Sequence, residues 1–154
     1  MTGPQASLEA RLQKLEDIQE ISALFMAYRR TLDEREFAVY AELFAPDGEW
    51  VGNLGSFKGP AAIKQMLDDS VGTAFGIESG DDFHLVANPD IRVDGDRATA
   101  SSMWVFVTRD GDDKPNVSLL GHYTDVLART PDGWRFLRRE AYCDVPAEHL
   151  GVRQ

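Results

Sequence analysis

The sequence predicts an α+β fold, with three helices first and then a four-strand antiparallel meander. Two observations carry this. As far as Val71, apolar residues recur at three- and four-residue steps; from Asp82 onward they fall in extended runs separated by short turn sequences. Short connections force antiparallel neighbours, because a parallel pair needs a long crossover.

Ser7 is placed to cap the first helix, with Glu9 near its positive end. Leu8, Leu12, Leu15, Ile18, Ile21, Leu24, Phe25, Tyr28 and Leu32 then form one apolar stripe, uninterrupted by Gly or Pro. Asp33-Glu34-Arg35-Glu36 has the form of a capping box. It predicts a second helix that buries Phe37, Tyr40, Leu43 and Phe44 and ends at Pro46-Asp47-Gly48. Glu49-Trp50-Val51 reads as a short strand closed by Gly52 and Gly55. Gly59-Pro60 opens a third helix with Ile63, Met66, Leu67 and Val71 inward. The four long strands are expected at 82–93, 97–108, 117–130 and 134–144, joined by Asp94-Gly95-Asp96, by residues 109–116 and by Pro131-Asp132-Gly133. Pro89 predicts a bulge or an edge in the first of them. Residues 1–146 are expected to form one domain, with 147–154 a loose tail.

At 154 residues with 43% hydrophobic and 27% charged side chains, the composition is that of a globular domain. The formal net charge is −10 and there is no Lys/Arg block, which argues against nucleic acid as a partner. Arg135, Arg138 and Arg139 are interrupted by Phe136 and Leu137 and read as part of a strand. Cys143 is alone, so neither an internal disulfide nor a CxxC site can form. With no apolar segment of about 18 residues and no leader-like start, a cytoplasmic protein without a membrane partner is expected.

Three segments, YRRTLDEREFAVYAELFAPDGEW, FHLVANPDIRVDGDRATASSMWVFV and GHYTDVLARTPDGWRFLRRE, resemble the SnoaL-like, scytalone-dehydratase-like branch of the NTF2-like superfamily. The resemblance runs from about Leu15 to Ala141. It implies a cone: three N-terminal helices packed on a strongly curved antiparallel sheet around an apolar pocket. It also implies dehydratases, dehydrohalogenases, isomerases and polyketide cyclases, mostly without metal or organic cofactor. Other members of the family only bind ligands or serve as small subunits of aromatic-ring dioxygenases, so the fold alone does not decide the activity.

The resemblance pairs Asp33 with His84. A carboxylate that holds the Nδ1–H of an imidazole fixes its tautomer and makes the other nitrogen a proton acceptor. Each residue has a plainer reading: Asp33 as a helix N-cap, His84 as a core histidine in an apolar run. Tyr28 is the family's pocket tyrosine, able to donate to a substrate oxygen, or else a core phenol. Five residues turn about 140° around a helix, so Tyr28 and Asp33 converge only if the helix ends near Leu32. His122 lies where scytalone dehydratase has a second pocket histidine, and would be a second acid/base group. Strand alternation sets His122 with Leu120 and Thr124 on one face and Tyr123 with Asp125 on the other, and leaves open which face is inside.

Trp50, Trp104 and Phe106 are candidate substrate-binding walls or simply core. Asp82 and His84 alternate onto one side, but His149 falls in the expected tail, so no three-ligand metal set is visible. The resulting expectation is a cofactor-independent lyase or isomerase for a small, hydroxylated, aromatic molecule. It would use His84, Asp33, Tyr28 and His122 and perform dehydration or a related elimination or retro-aldol reaction. The alternative is a non-catalytic binding or structural subunit. Apolar residues on both faces of Trp104-Val105-Phe106-Val107 predict a homo-oligomer, and the resemblance implies a trimer ahead of a dimer.

Overall fold

The computed structural model describes residues 7–71 and 80–146. The Gly/Pro lead, the tail from residue 147 and His149 lie outside the described residues. The element order is α1 (Leu8–Asp33), α2 (Phe37–Glu42), β1 (Phe44–Gly52), β2 (Gly55–Lys58), α3 (Pro60–Asp69), β3 (Asp82–Asp94), β4 (Arg97–Arg109), β5 (Pro115–Thr130) and β6 (Gly133–Val145). One six-stranded curved sheet runs in the order β2-β1-β6-β5-β4-β3. The expected meander is its larger part, but α3 follows a β1–β2 hairpin, and β1 joins β6 in parallel. The sheet is therefore not purely antiparallel, and the helices do not all precede it.

Ser7 Oγ accepts the Ala10 amide at 3.2 Å, as an N-cap does. The apolar stripe of α1 divides in two. Ile21, Leu24, Phe25, Tyr28 and Leu32 are buried, whereas Leu8, Leu12 and Leu15 are exposed. The first turns of α1 thus run past the end of the sheet, a position that periodicity does not encode. Among the buried residues is Asp17, which receives a hydrogen bond from the Trp134 indole at 3.3 Å and forms an ion pair with Arg129 at 2.7 Å. These tie the helix to the β5–β6 hairpin.

The segment expected to cap α2 does something else. The cap residue of α2 is Glu36, without a side-chain bond, while Asp33 ends α1. Pro46-Asp47-Gly48 does not end α2 either; it lies within β1 at a register break between Phe44 and Glu49. Gly48 is required there, because a Cβ would stand 2.6 Å from the Phe136 carbonyl oxygen. In β3 the register breaks at Asn88-Pro89, and β3 is also a sheet edge. In β6 Leu137 is skipped between Phe136 and Arg138, a bulge that shifts every later pair with β5.

The alternation is resolved in favour of Tyr123, Asp125 and Leu127, which face the core together with Ala98, Ala100 and Trp104 of β4. The outer face carries a row of apolar side chains across four strands, with Leu85 paired to Val105, Val105 to Leu120 and Leu120 to Val145.

Candidate functional site

Between the helices and the inner face of the sheet lies a cavity of about 540 Å³. Tyr28 from α1, Trp50 from β1, His84 from β3 and Trp104 and Phe106 from β4 all line it. Five of the six residues expected there besides the carboxylate are thus on its wall, and Asp33 stands directly behind one of them.

Asp33, the last residue of α1, turns its carboxylate toward β3. Its Oδ1 lies 2.8 Å from His84 Nδ1, and its two oxygens accept the His84 backbone amide at 3.1 and 3.2 Å. Arg29, one turn back, adds a 3.0 Å ion pair to Oδ2. A carboxylate that accepts from Nδ1–H leaves Nε2 of a neutral imidazole as the lone-pair nitrogen. Among the described residues Nε2 makes no hydrogen bond. The ring packs against Phe106 at 4.6 Å between centroids and toward Trp104 at 6.4 Å. That arrangement suits a proton acceptor at the wall of a largely apolar chamber.

A second tie runs beside the first. Arg35 Nη2 meets Asp82 Oδ1 at 2.8 Å, and its Nη1 caps the Leu32 carbonyl at 3.0 Å. Arg35 adopts φ 61°, the left-handed turn that follows a helix end, and this brings its side chain back to β3. Residues 33 and 35 therefore engage 84 and 82, so that chain reversal after α1 and strand alternation in β3 face each other in step. Asp82 lines the cavity, but its carboxylate is committed to Arg35. No three His, Cys, Asp or Glu side chains are grouped as metal ligands among the described residues.

Tyr28 shares the cavity without touching the dyad. Its hydroxyl accepts the Trp50 indole N–H at 3.2 Å, and its ring meets Tyr40 at 4.6 Å and Tyr123 at 5.6 Å. Burial, reinforced by the neighbouring Tyr28 phenol, holds the phenols of Tyr40 and Tyr123 well above their ordinary pKa. Both are therefore hydrogen donors at neutral pH.

His122 does not reach the cavity. It lies on the outer face, half exposed, with Nδ1 2.7 Å from Asp144 and its ring stacked on Tyr142 at 4.8 Å. The physical reason is that its neighbours Tyr123 and Asp125 take the inner face, and alternation then turns His122 outward. The expected second pocket histidine is thus a surface residue in contact with Asp144.

Sequence reasoning missed the Arg35–Asp82 tie, Tyr40, Tyr123 and a buried pair beneath them. Arg139 is wholly buried and holds both Asp125 oxygens, at 2.7 and 2.8 Å. Its guanidinium stacks on Tyr28 at 4.1 Å, Tyr123 at 4.2 Å, Phe136 at 4.2 Å and Phe25 at 4.7 Å. Burial is the largest single influence and lowers its pKa, but the Asp125 charge and hydrogen bonds, with the neighbouring phenols, together outweigh it and raise it. The signal was present as acid and base on adjacent strands of a hairpin.

Gly121 fixes the Trp104 wall. A Cβ there would fall 1.9 Å from the Tyr142 carbonyl oxygen and 2.4 Å from the Trp104 ring. Gly121→Ala is expected to destabilise the protein by about 1–3 kcal/mol through overpacking, read as a lower melting temperature.

Similarity to known proteins places the chain in a family. The SnoaL-like domain family matches residues 13–140. The uncharacterized protein Rv2910c of Mycobacterium tuberculosis is 33% identical over 129 residues, covering 82% of this chain and 84% of that protein. An NTF2-like protein with a cystatin-like fold from Novosphingobium aromaticivorans superposes with a TM-score of 0.82 at 28% identity, over 98% of this chain and all of that one. ActVI-ORFA of Streptomyces coelicolor gives 0.71 at 27% identity, over 82% and 97%. The matched span contains α1 from Gln13, the Asp33–His84 dyad and the cavity walls as far as Tyr123, and the chain belongs to the SnoaL-like family of the NTF2-like superfamily.

Proposed function

We propose that the protein is a cofactor-independent lyase or isomerase for a small, hydroxylated, aromatic substrate, with His84 as the base and Asp33 as its orienting partner. The single observation behind this is the 2.8 Å Asp33–His84 contact, which spends Nδ1 and leaves Nε2 at the wall of an aromatic cavity. At about 540 Å³ the chamber falls in the range of roughly 300–1,000 Å³ typical of small-molecule sites.

In an elimination, Nε2 takes a proton from the carbon next to a carbonyl. The electron pair moves onto the carbonyl oxygen, where the Tyr28 hydroxyl donates a hydrogen bond. It then returns to form the double bond as the leaving hydroxide departs with the proton that His84 carries. Asp33 stabilises the intervening imidazolium. Isomerisation uses the same first step and returns the proton to a different carbon.

The test is a screen of hydroxylated aromatic compounds with purified protein and no added cofactor. At least one compound is expected to turn over, at a rate unchanged by exhaustive dialysis against a chelator. Activity that is lost on dialysis and restored by one metal ion would overturn the cofactor-free reading. Tight binding without turnover across the screen would point to a ligand-binding domain instead.

A further inference from the structure

The tyrosine wall of the cavity has a construction that the acid/base reading does not use. Three tyrosines line it, Tyr28, Tyr40 and Tyr123, with the Trp50 N–H directed at the oxygen of the first. A phenol oxygen accepts at most two hydrogens. Trp50 fills one place at Tyr28, so the two flanking phenols cannot both donate to it. One flanking phenol is left with a hydrogen to offer to an oxygen in the cavity.

Beneath the rings of Tyr28 and Tyr123 lies the Arg139 guanidinium, at 4.1 and 4.2 Å. An apolar pair of the same volume would commonly be as stable as a buried ion pair or more so. Its Nη1 is also buried without a hydrogen-bond partner, a further cost. Stability therefore does not account for a cation at this place. A cation on a ring face draws electron density from the ring and makes its hydroxyl a stronger donor. Consistently, Arg139 lowers the pKa of the Tyr40 and Tyr123 phenols against the larger upward push of burial.

We propose that Tyr28, Tyr40 and Tyr123 form a seat for an anionic oxygen, a phenolate or enolate, and that Arg139, held by Asp125, is the positioning residue that gives the seat its preference for the ionised form. The proposal rests on the cavity being the reactive site, and deepens it by assigning the substrate oxygen to the tyrosine side and the transferred proton to the His84 side. Asp82, the other acid on the wall, is neutralised by Arg35 and does not oppose an anion strongly.

The test uses 4-nitrophenol, whose visible absorbance reports its ionised form, and needs no turnover. The pH at which the bound probe ionises is compared with that of the free probe. A tenfold preference for the anion lowers it by about one unit, and at least that is expected for the wild type. Tyr123→Phe and Tyr40→Phe are each expected to shrink the shift, and Tyr28→Phe to remove most of it. Arg139→Met/Asp125→Leu removes both charges together, so that neither is left unpaired, and should bind the probe with no downward shift. His84→Ala should keep the shift while abolishing turnover, which separates this proposal from the base assignment.

A wild type that binds only neutral nitrophenol, or does not bind it, overturns the seat. So does a full shift in all three Phe variants. A folded Arg139→Met/Asp125→Leu protein with an undiminished shift overturns the role of Arg139. If that double variant does not fold, Arg139→Lys decides: a smaller, more localised cation that restores folding without the stacked plane should reduce the shift, and an unchanged shift counts against Arg139. Loss of the shift in His84→Ala assigns the anion to the imidazolium and refutes the proposal.

Discussion

His84→Ala is expected to lower kcat/KM by about two to four orders of magnitude while leaving the melting temperature within a few degrees of wild type, as removal of a general base does. The imidazole packs on Phe106 but is not part of the deepest core, so the fold should survive its loss. Asp33→Asn separates two readings of one residue. An amide caps a helix about as well as a carboxylate, so a capping aspartate would tolerate the change. Asp33 does not cap α2; both its oxygens serve His84, through the ring and the backbone amide. Asparagine can keep the shape but cannot stabilise an imidazolium, and its NH₂ competes for the tautomer. The expected result is a stable protein with sharply reduced kcat and a smaller change in KM. A fully active His84→Ala protein would end the acid/base proposal.

Arg139→Ala should be the most damaging single substitution for stability. It strands the Asp125 carboxylate, itself buried, and opens a cavity under four aromatic rings. Breaking a buried pair from one side costs about 3–5 kcal/mol. For a chain of this size that is roughly a 10 °C fall in melting temperature or more. Replacing both partners by apolar side chains should recover most of it, because the desolvation of two charges is then relieved. Thermal melts of the single and double variants decide the matter: if Arg139→Ala melts within a few degrees of wild type, the substitution does not leave Asp125 as a buried, unpaired charge.

Much of the fold was legible because its punctuation is local. Gly95 and Gly133 take positive φ at the two tight turns, and the four strands between and around them fall within a residue or two of the expected bounds. What escaped was long-range. The pairing of β1 with β6 depends on Gly48 admitting the Phe136 carbonyl, so a Pro-Asp-Gly sequence that reads as a stop is instead a bulge inside a strand. A regular hairpin continued back from Thr130 and Gly133 would set Asp125 opposite Arg138. The skipped Leu137 moves it to Arg139, and so creates the buried pair. The capping box failed for a related reason: a local backbone bond at Asp33 lost to a partner on a distant strand. The Asp33–His84 contact is legible only through the family's pattern, and the inward face of β5 is not legible at all, which is why His122 is a pocket candidate in the sequence although it faces outward in the structure.

The Asp33 contact has a consequence for the chain while it is still incompletely folded. β3 is an edge strand, and the His84 amide that Asp33 accepts points away from β4, toward the open side. An unpaired amide on an exposed edge is a template for another chain's strand. When α1 docks, the carboxylate that orients the imidazole also closes that amide, and Arg35 clamps the edge two residues earlier. A molecule with α1 undocked has neither the oriented imidazole nor the closed edge. The orientation of His84 and the protection of the β3 edge are thus acquired in one event.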